Sequence, residues 1–169
     1  AVNGDYIFVE MDGGNGWPGC IASFNVSDPN TVVHSFTQTA GYHSANQTYY
    51  RDGYLYNCSS SYLSIYDVSD PTNFGCEAEI STSQCKWAAF GGDYLYISEY
   101  KDLTIHDISE PTTPEFLGEV TVSSGNNGGI AVSDNYVYIG DNSLEETISI
   151  VDATNPQSPV FKKTIVLSN

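Results

Sequence analysis

"LSIYDVSDP" (63–71) is the stretch on which the fold turns. Apolar and small residues alternate along it as in a strand, and an aspartate, a serine and a proline then end it abruptly. The same grammar returns as "IASFNVSDP" (21–29), "LTIHDISEP" (103–111) and "ISIVDATNP" (148–156). Upstream of each copy lies a second recurring segment: "GDYIFV" (4–9), "DGYLYN" (52–57), "GDYLYI" (92–97) and "DNYVYI" (134–139). Tyr6, Tyr54, Tyr94 and Tyr136 are 48, 40 and 42 residues apart. A period of this length marks a repeat architecture.

Each repeat parses into four short strands. In the third, "KWAAF", "YLYISEY", "LTIHDI" and "EFLGEVTV" follow one another with Gly-Asp, Lys-Asp and Ser-Glu-Pro turns between them. Tyr94 and Tyr96 point to one side of their strand, Leu95 and Ile97 to the other, so both faces need cover. A four-stranded antiparallel sheet that recurs about every 42 residues and must be covered on both faces is a propeller blade. No stretch holds a helical period, and the chain is dense in Tyr, Val, Ile, Thr and Gly. The expectation is an all-β, four-repeat β-propeller of four-stranded antiparallel blades, either closed or partial. It forms one propeller-like domain over 1–169, with repeats near 1–46, 47–87, 88–128 and 129–169.

The pattern apolar-x-apolar-x-Asp-Val-Ser-Asp-Pro, preceded by a Tyr-rich strand, resembles the LVIVD-type repeat of β-propeller regions in secreted and surface proteins. The resemblance covers all four repeats and implies a scaffold rather than an assigned activity. Asn25 stands where Asp is expected, and Asn155 replaces the second Asp.

The repeats also decide what Asp67 is for. Its counterparts are Asn25, Asp107 and Asp152, one per repeat, whereas an enzyme needs its base once. A side-chain oxygen at a strand end accepts bonds from backbone N–H groups two residues on, and Asn serves as well as Asp. All four are therefore expected to form turns.

No nucleophile, histidine and acid are arranged for catalysis. His106 takes the slot of Phe24, Tyr66 and Val151 and is expected to pack within its blade; His34 falls in an outer strand, His43 in a loop. The acidic loops at 11–16 and 140–147 lack the spacing of a twelve-residue calcium loop. No enzyme activity, metal or cofactor is expected.

Composition limits the partners. Asp and Glu number 21 against 5 Lys and Arg, a formal charge of −16, which repels nucleic acid and anionic membranes alike. No apolar run reaches the length of a membrane span, so no membrane insertion is expected. Residues 1–20 lack the basic start and apolar stretch of a signal peptide, so secretion would imply a leader already removed. Four cysteines without a CxxC pair point to disulfides and an extracellular or cell-surface location. The expected bridges are Cys20 to Cys58, at one face of adjacent blades, and Cys76 to Cys85, in a local curl. Asn25, Asn46 and Asn57 head sequons and are candidate glycosylation sites.

In an up-and-down blade, the turn between strands two and three shares a face with the connection to the next blade. That face should collect Trp17, Tyr42, His43, Trp87, Asn126 and Asn127, together with Lys86. Aromatic plates beside amides suit a carbohydrate or a protein surface. The chain ends suggest a partner of another kind. "AVNGDYIF" (1–8) aligns with "AVSDNYVY" (131–138), which leaves only Ala1 and Val2 for the first strand. With no strand exchanged between the ends, the first and last blades would each expose an apolar face. The leading expectation is a structural or interaction module that self-associates into a fibre or surface layer; the alternative is a glycan-binding propeller.

Overall fold

The computed structural model describes residues 1–11, 19–39, 45–122, 127–141 and 147–166, without the side chains of 45 and 46. Among them there is no helix, and hence none long and apolar enough to cross a membrane. The chain forms two compact units, Ala1–Ser81 and Thr82–Asn169, and each contains two four-stranded sheets.

In the first unit, β1 (Val2–Asn3), β2 (Tyr6–Met11), β3 (Cys20–Asn25) and β4 (Val33–Thr39) make one sheet. The other comprises β5 (Ala45–Arg51), β6 (Tyr54–Ser59), β7 (Tyr62–Asp67) and β8 (Gly75–Ser81). The second unit has β9 (Trp87–Gly91), β10 (Tyr94–Ser98), β11 (Asp102–Asp107) and β12 (Glu115–Thr121), then β13 (Asn127–Ser133), β14 (Tyr136–Asp141), β15 (Thr147–Asp152) and β16 (Val160–Val166). Every sheet runs up and down in chain order with antiparallel neighbours, the connectivity of a propeller blade.

The repeated sequence makes repeated geometry. Each hairpin between the first two strands holds backbone at positive φ: Gly4, Asp52 with Gly53, Gly92 and Asp134. Glycine and aspartate are among the residues that tolerate this region, and such turns match the twist of the strands they join. Each fourth strand carries a bulge against the third: Ser35, Glu77, Leu117 and Lys162 are the extra residues, opposite Ser23–Phe24, Ile65–Tyr66, Ile105–His106 and Ile150–Val151. A bulge bends the strand and increases its twist at the same point in every sheet.

Within each unit, the core is sheet on sheet. Phe8 and Ile21 of the first sheet pack with Leu55, Tyr66, Val68 and Phe74 of the second. In the second unit, Tyr96, Leu103, Ile105 and Val122 pack with Val137, Ile139, Val151 and Ala153. Burying an aliphatic or aromatic side chain of this size stabilises by about 1.5–3 kcal/mol. Burial also pushes the phenols of Tyr56 and Tyr66 up to about 12. Polar ties cross between sheets as well: the Ser23 hydroxyl donates to the Pro71 carbonyl and the Ser149 hydroxyl to that of Val122, at 2.5 and 3.0 Å.

At the strand ends, the backbone N–H two residues on donates to the side-chain oxygen in all four copies. The pairs are Ser27 to Asn25 at 2.9 Å, Ser69 to Asp67 at 2.9 Å, Ser109 to Asp107 at 2.8 Å and Thr154 to Asp152 at 3.0 Å. The intervening N–H is anchored too: Val26, Val68, Ile108 and Ala153 donate to the carbonyls of Asp5, Gly53, Asp93 and Asn135. A second turn follows in three repeats, closed on Asp28, Asp70 and Asn155. His106 is buried against Phe116, ring centroids 5.5 Å apart, and burial lowers its pKa more than the nearby Glu99 raises it.

The expected bridges Cys20 to Cys58 and Cys76 to Cys85 are not formed. Cys58 and Cys85 are the disulfide-bonded cysteines, and Cys20 and Cys76 are free. The local curl is not made, because residues 75–81 run as a strand paired with β7. Its rise of about 3.3 Å per residue carries the chain roughly 17 Å from Cys76 before the path to Cys85 begins.

Because the Asx oxygen is the feature that matters at the strand end, Asp67→Asn should unfold in urea as the parent does. Asp67→Ala should lose about 0.5–1.5 kcal/mol, the net worth of one hydrogen bond. Acid should act through the same turns. Backbone and hydroxyl donors hold Asp28, Asp70 and Asp107 below the ordinary carboxylate value, and Thr154, then Lys162, holds Asp152 at about 2. A carboxylate whose folded pKa is depressed adds stability above its unfolded pKa of about 3.9 and loses it as pH falls. Thermal midpoints measured across pH should therefore fall steadily from about pH 4 to the Asp152 value of about 2.

Candidate functional site

In the second unit, the start of β9, the start of β13 and the end of β14 meet around a cavity of about 380 Å³. Its walls are Lys86, Trp87, Asn127, Gly128, Gly129, Gly140 and Asp141. Strand pairing puts them there: Trp87 lies opposite Ser98 in β10, and Asn127 opposite Asp141. Between Asn127 and Ile130 the register shifts, and Gly128 and Gly129 occupy that irregularity. Bulges of this kind recur beside binding sites because they redirect side chains and interrupt the ladder.

Trp87 is 38% exposed, so the indole is not a buried plug. Lys86 donates its backbone N–H to Ser98 at 3.1 Å and holds its ammonium 5.6 Å from the centre of the Tyr100 ring, within cation–π reach. Asn127 is 1% exposed and works mainly as a brace. Its backbone N–H donates to the Tyr100 carbonyl at 3.0 Å and its side-chain nitrogen to the Asp102 carbonyl at 3.3 Å, which fixes the β10–β11 turn.

Below that turn, Glu99 is 6% exposed, a carboxylate that sequence reasoning missed. It accepts from the Ser83 N–H at 2.6 Å, the Ser83 hydroxyl at 2.5 Å and the Thr104 hydroxyl at 3.1 Å. A buried carboxylate is costly unless it is hydrogen-bonded, and these three donors compensate it. The first unit has a shorter version: Asn57 donates to Thr48 at 3.0 Å, and Thr48 to Glu10 at 2.6 Å. Neither network contains a histidine hydrogen-bonded to a hydroxyl, as nucleophilic catalysis would require. Among the described residues, no group of three or more His, Cys, Asp or Glu is placed to hold a metal ion.

Of the six residues expected on the aromatic face, Trp87 and Asn127 are brought together. Trp17, Tyr42, His43 and Asn126 lie outside the described residues, as does most of each acidic loop. Of the sequon asparagines, Asn25 uses its side-chain oxygen to accept from both the N–H and hydroxyl of Ser27. Asn57 is 4% exposed with its amide nitrogen bonded to Thr48, an enclosure with no room for a glycan. The side chain of Asn46 is outside the description.

The LVIVD repeat family matches residues 50–82, 89–122 and 124–166. Comparison with curated proteins gave no match. Among solved structures, BamB from Moraxella catarrhalis, a β-propeller, is 15% identical with a TM-score of 0.73 over 99% of this chain and 49% of its own. A functionally unknown protein from Desulfotomaculum acetoxidans is 14% identical, TM-score 0.73, over 95% of this chain and 52% of its own. A candidate 6-phosphogluconolactonase from Bacteroides fragilis is 11% identical, TM-score 0.78, over 99% and 56%. At these identities the likeness is one of fold. The chain spans about half the length of these structures.

Exposure separates the face from the core, and truncation should do the same. Trp87→Ala should leave the urea midpoint nearly unchanged, whereas Ile105→Ala, at 0% exposure, should cost about 2–5 kcal/mol.

Proposed function

The chain belongs to the LVIVD repeat family, and we propose that it is an extracellular structural and interaction propeller that joins copies of itself through its first and last sheets. The observation that carries this is a contrast between equivalent strands. In β6 and β10, the residues after the leading tyrosine are buried on both faces. In β2, Phe8 is buried, but Val9 is 39% and Met11 43% exposed. In the last sheet, Tyr136 is 41% exposed, and every residue of β16 is exposed, including Val160, Phe161, Ile165 and Val166.

Sheets patterned for cover on both faces are usually covered, and exposed apolar surface of this extent marks an interaction site. A second copy offers surface of the same kind. Contact of one end with the other end of the next copy is heterologous and builds a ring or a filament according to the rotation it imposes. A disulfide at Cys58 and Cys85 fits an oxidising compartment. The role needs no catalytic group, and the four Asx positions are already spent on turns. A glycan-binding role would use a different surface, the Trp87 end of the second unit, and is compatible with assembly.

Sedimentation at micromolar concentration is expected to show species well above 18.4 kDa, with polymers under the microscope. Val9→Lys with Met11→Lys should return the chain to monomer while its circular dichroism is unchanged. A parent chain that sediments as a monomer and shows no polymer would refute the reading.

A further inference from the structure

In its first two strands the fourth repeat departs from the other three, and the departure makes a cavity. Four residues after the leading tyrosine of the second strand stand Glu10, Cys58 and Ser98, but in the last sheet Gly140. Facing it, the fourth repeat has Gly128 and Gly129 where the third has Lys86 and Trp87. A Cβ built on Gly129 would meet nothing within 4 Å, and one on Gly140 only backbone atoms of Gly129, at 3.7 and 3.9 Å. The space is therefore open, and bare backbone forms its floor.

Around that floor the lining includes the exposed Trp87 together with Lys86 and Asp141. We propose that this cavity binds a single neutral pyranose residue of a carbohydrate. A pyranose has an apolar face of C–H groups, which suits an exposed indole, and a rim of hydroxyls that both donate and accept. An ionised carboxylate offers about four acceptor positions and an ammonium three donors, so Asp141 and Lys86 serve such a rim beyond any bond they already make. The volume of about 380 Å³ falls within the range of small-molecule sites, near its lower end. The net charge of −16 sets the ligand's charge, since carboxylated or sulfated sugars would approach against repulsion. Asn127 is a positioning residue here, because it holds the Tyr100–Asp102 turn against which Lys86 rests.

This inference does not depend on self-association, and its test reads a different signal. Trp17→Phe leaves Trp87 as the sole indole, so emission can be titrated with methyl β-glucoside, methyl β-galactoside, methyl α-mannoside and methyl β-glucuronide. At least one neutral glycoside should shift the emission saturably and bind more tightly than the glucuronide. Gly129→Val fills the cavity without touching the core, and should weaken that glycoside at least tenfold while thermal unfolding stays at the parent temperature. Trp87→Ala, followed by saturation-transfer NMR, should abolish binding. Absence of binding by all three neutral glycosides, tighter binding of the glucuronide, or binding that survives both substitutions would overturn the proposal. Lys substitutions at Val9 and Met11 should leave glycoside affinity unchanged, which keeps the outcome separate from that of assembly.

Discussion

A strand whose odd and even side chains are both apolar cannot face water on either side, and that constraint organises this chain. Tyr96 and Ile97 are adjacent, so they point to opposite faces of β10, and both are buried. One sheet cannot meet such a demand alone. Stacking meets it, and each stacked sheet passes the requirement to the next. Phe8 and Ile21 against Leu55 and Tyr66, and Tyr96 and Leu103 against Val137 and Val151, are two instances of one solution. The exposed Val9 and Met11 mark where the demand is left unmet.

The Asx turns make the solution repeatable. A sheet in a stack must end its third strand at a fixed place, or the fourth strand slips by one residue and turns its apolar face outward. The side-chain oxygen of Asn25, Asp67, Asp107 or Asp152 takes the N–H two residues on, and the neighbouring N–H goes to the first hairpin. The side chain thus closes the turn that ends the third strand, and the backbone bond beside it ties that turn to the hairpin before the second strand. Asn25 carries no charge and makes the same bond, so hydrogen-bond geometry rather than charge is what the position selects. A group required in every repeat is a poor candidate for chemistry needed once.

The fold was legible because these constraints act within about ten residues, where alternation, turn chemistry and repetition can be read directly. Asp67 and its counterparts, the strand order within each sheet and the packed role of His106 all belong to that class. What failed to show were properties set between distant segments. The cysteine pairing could not be read because the strand that runs from Gly75 to Ser81 carries the chain away from a local partner for Cys76. Glu99 looks like any exposed turn carboxylate until Ser83 and Thr104 converge on it. Asn57 reads as a sequon, yet its amide is spent on the Thr48–Glu10 relay. Of the aromatic face, Trp87 and Asn127 were both named, but their roles divide: the indole is presented to solvent, and the amide braces a turn from within. Gly140 carried a signal, the only glycine at its repeat position, which alignment of the repeats exposes once its lack of a side chain is taken as meaningful.

Charge and apolar surface then act on different scales. Twenty-one acidic groups against five basic ones keep copies apart at long range, but at physiological ionic strength that repulsion fades beyond about 8 Å. Removal of apolar surface from water acts at contact and scales with the area removed. Two copies that collide side by side bring carboxylates together with little apolar area to offset them. Copies that meet through Val9 and Met11 on one side and the β16 surface on the other cover apolar area, and Lys162 and Lys163 place two of the chain's few cations on that strand. Lys162 is engaged with Asp152 at 2.9 Å, and both lysines reduce the negative field where an acidic partner would approach. In the proposed assembly, the same imbalance of charge that opposes side-by-side contact would leave the sheet ends as the route of closest approach.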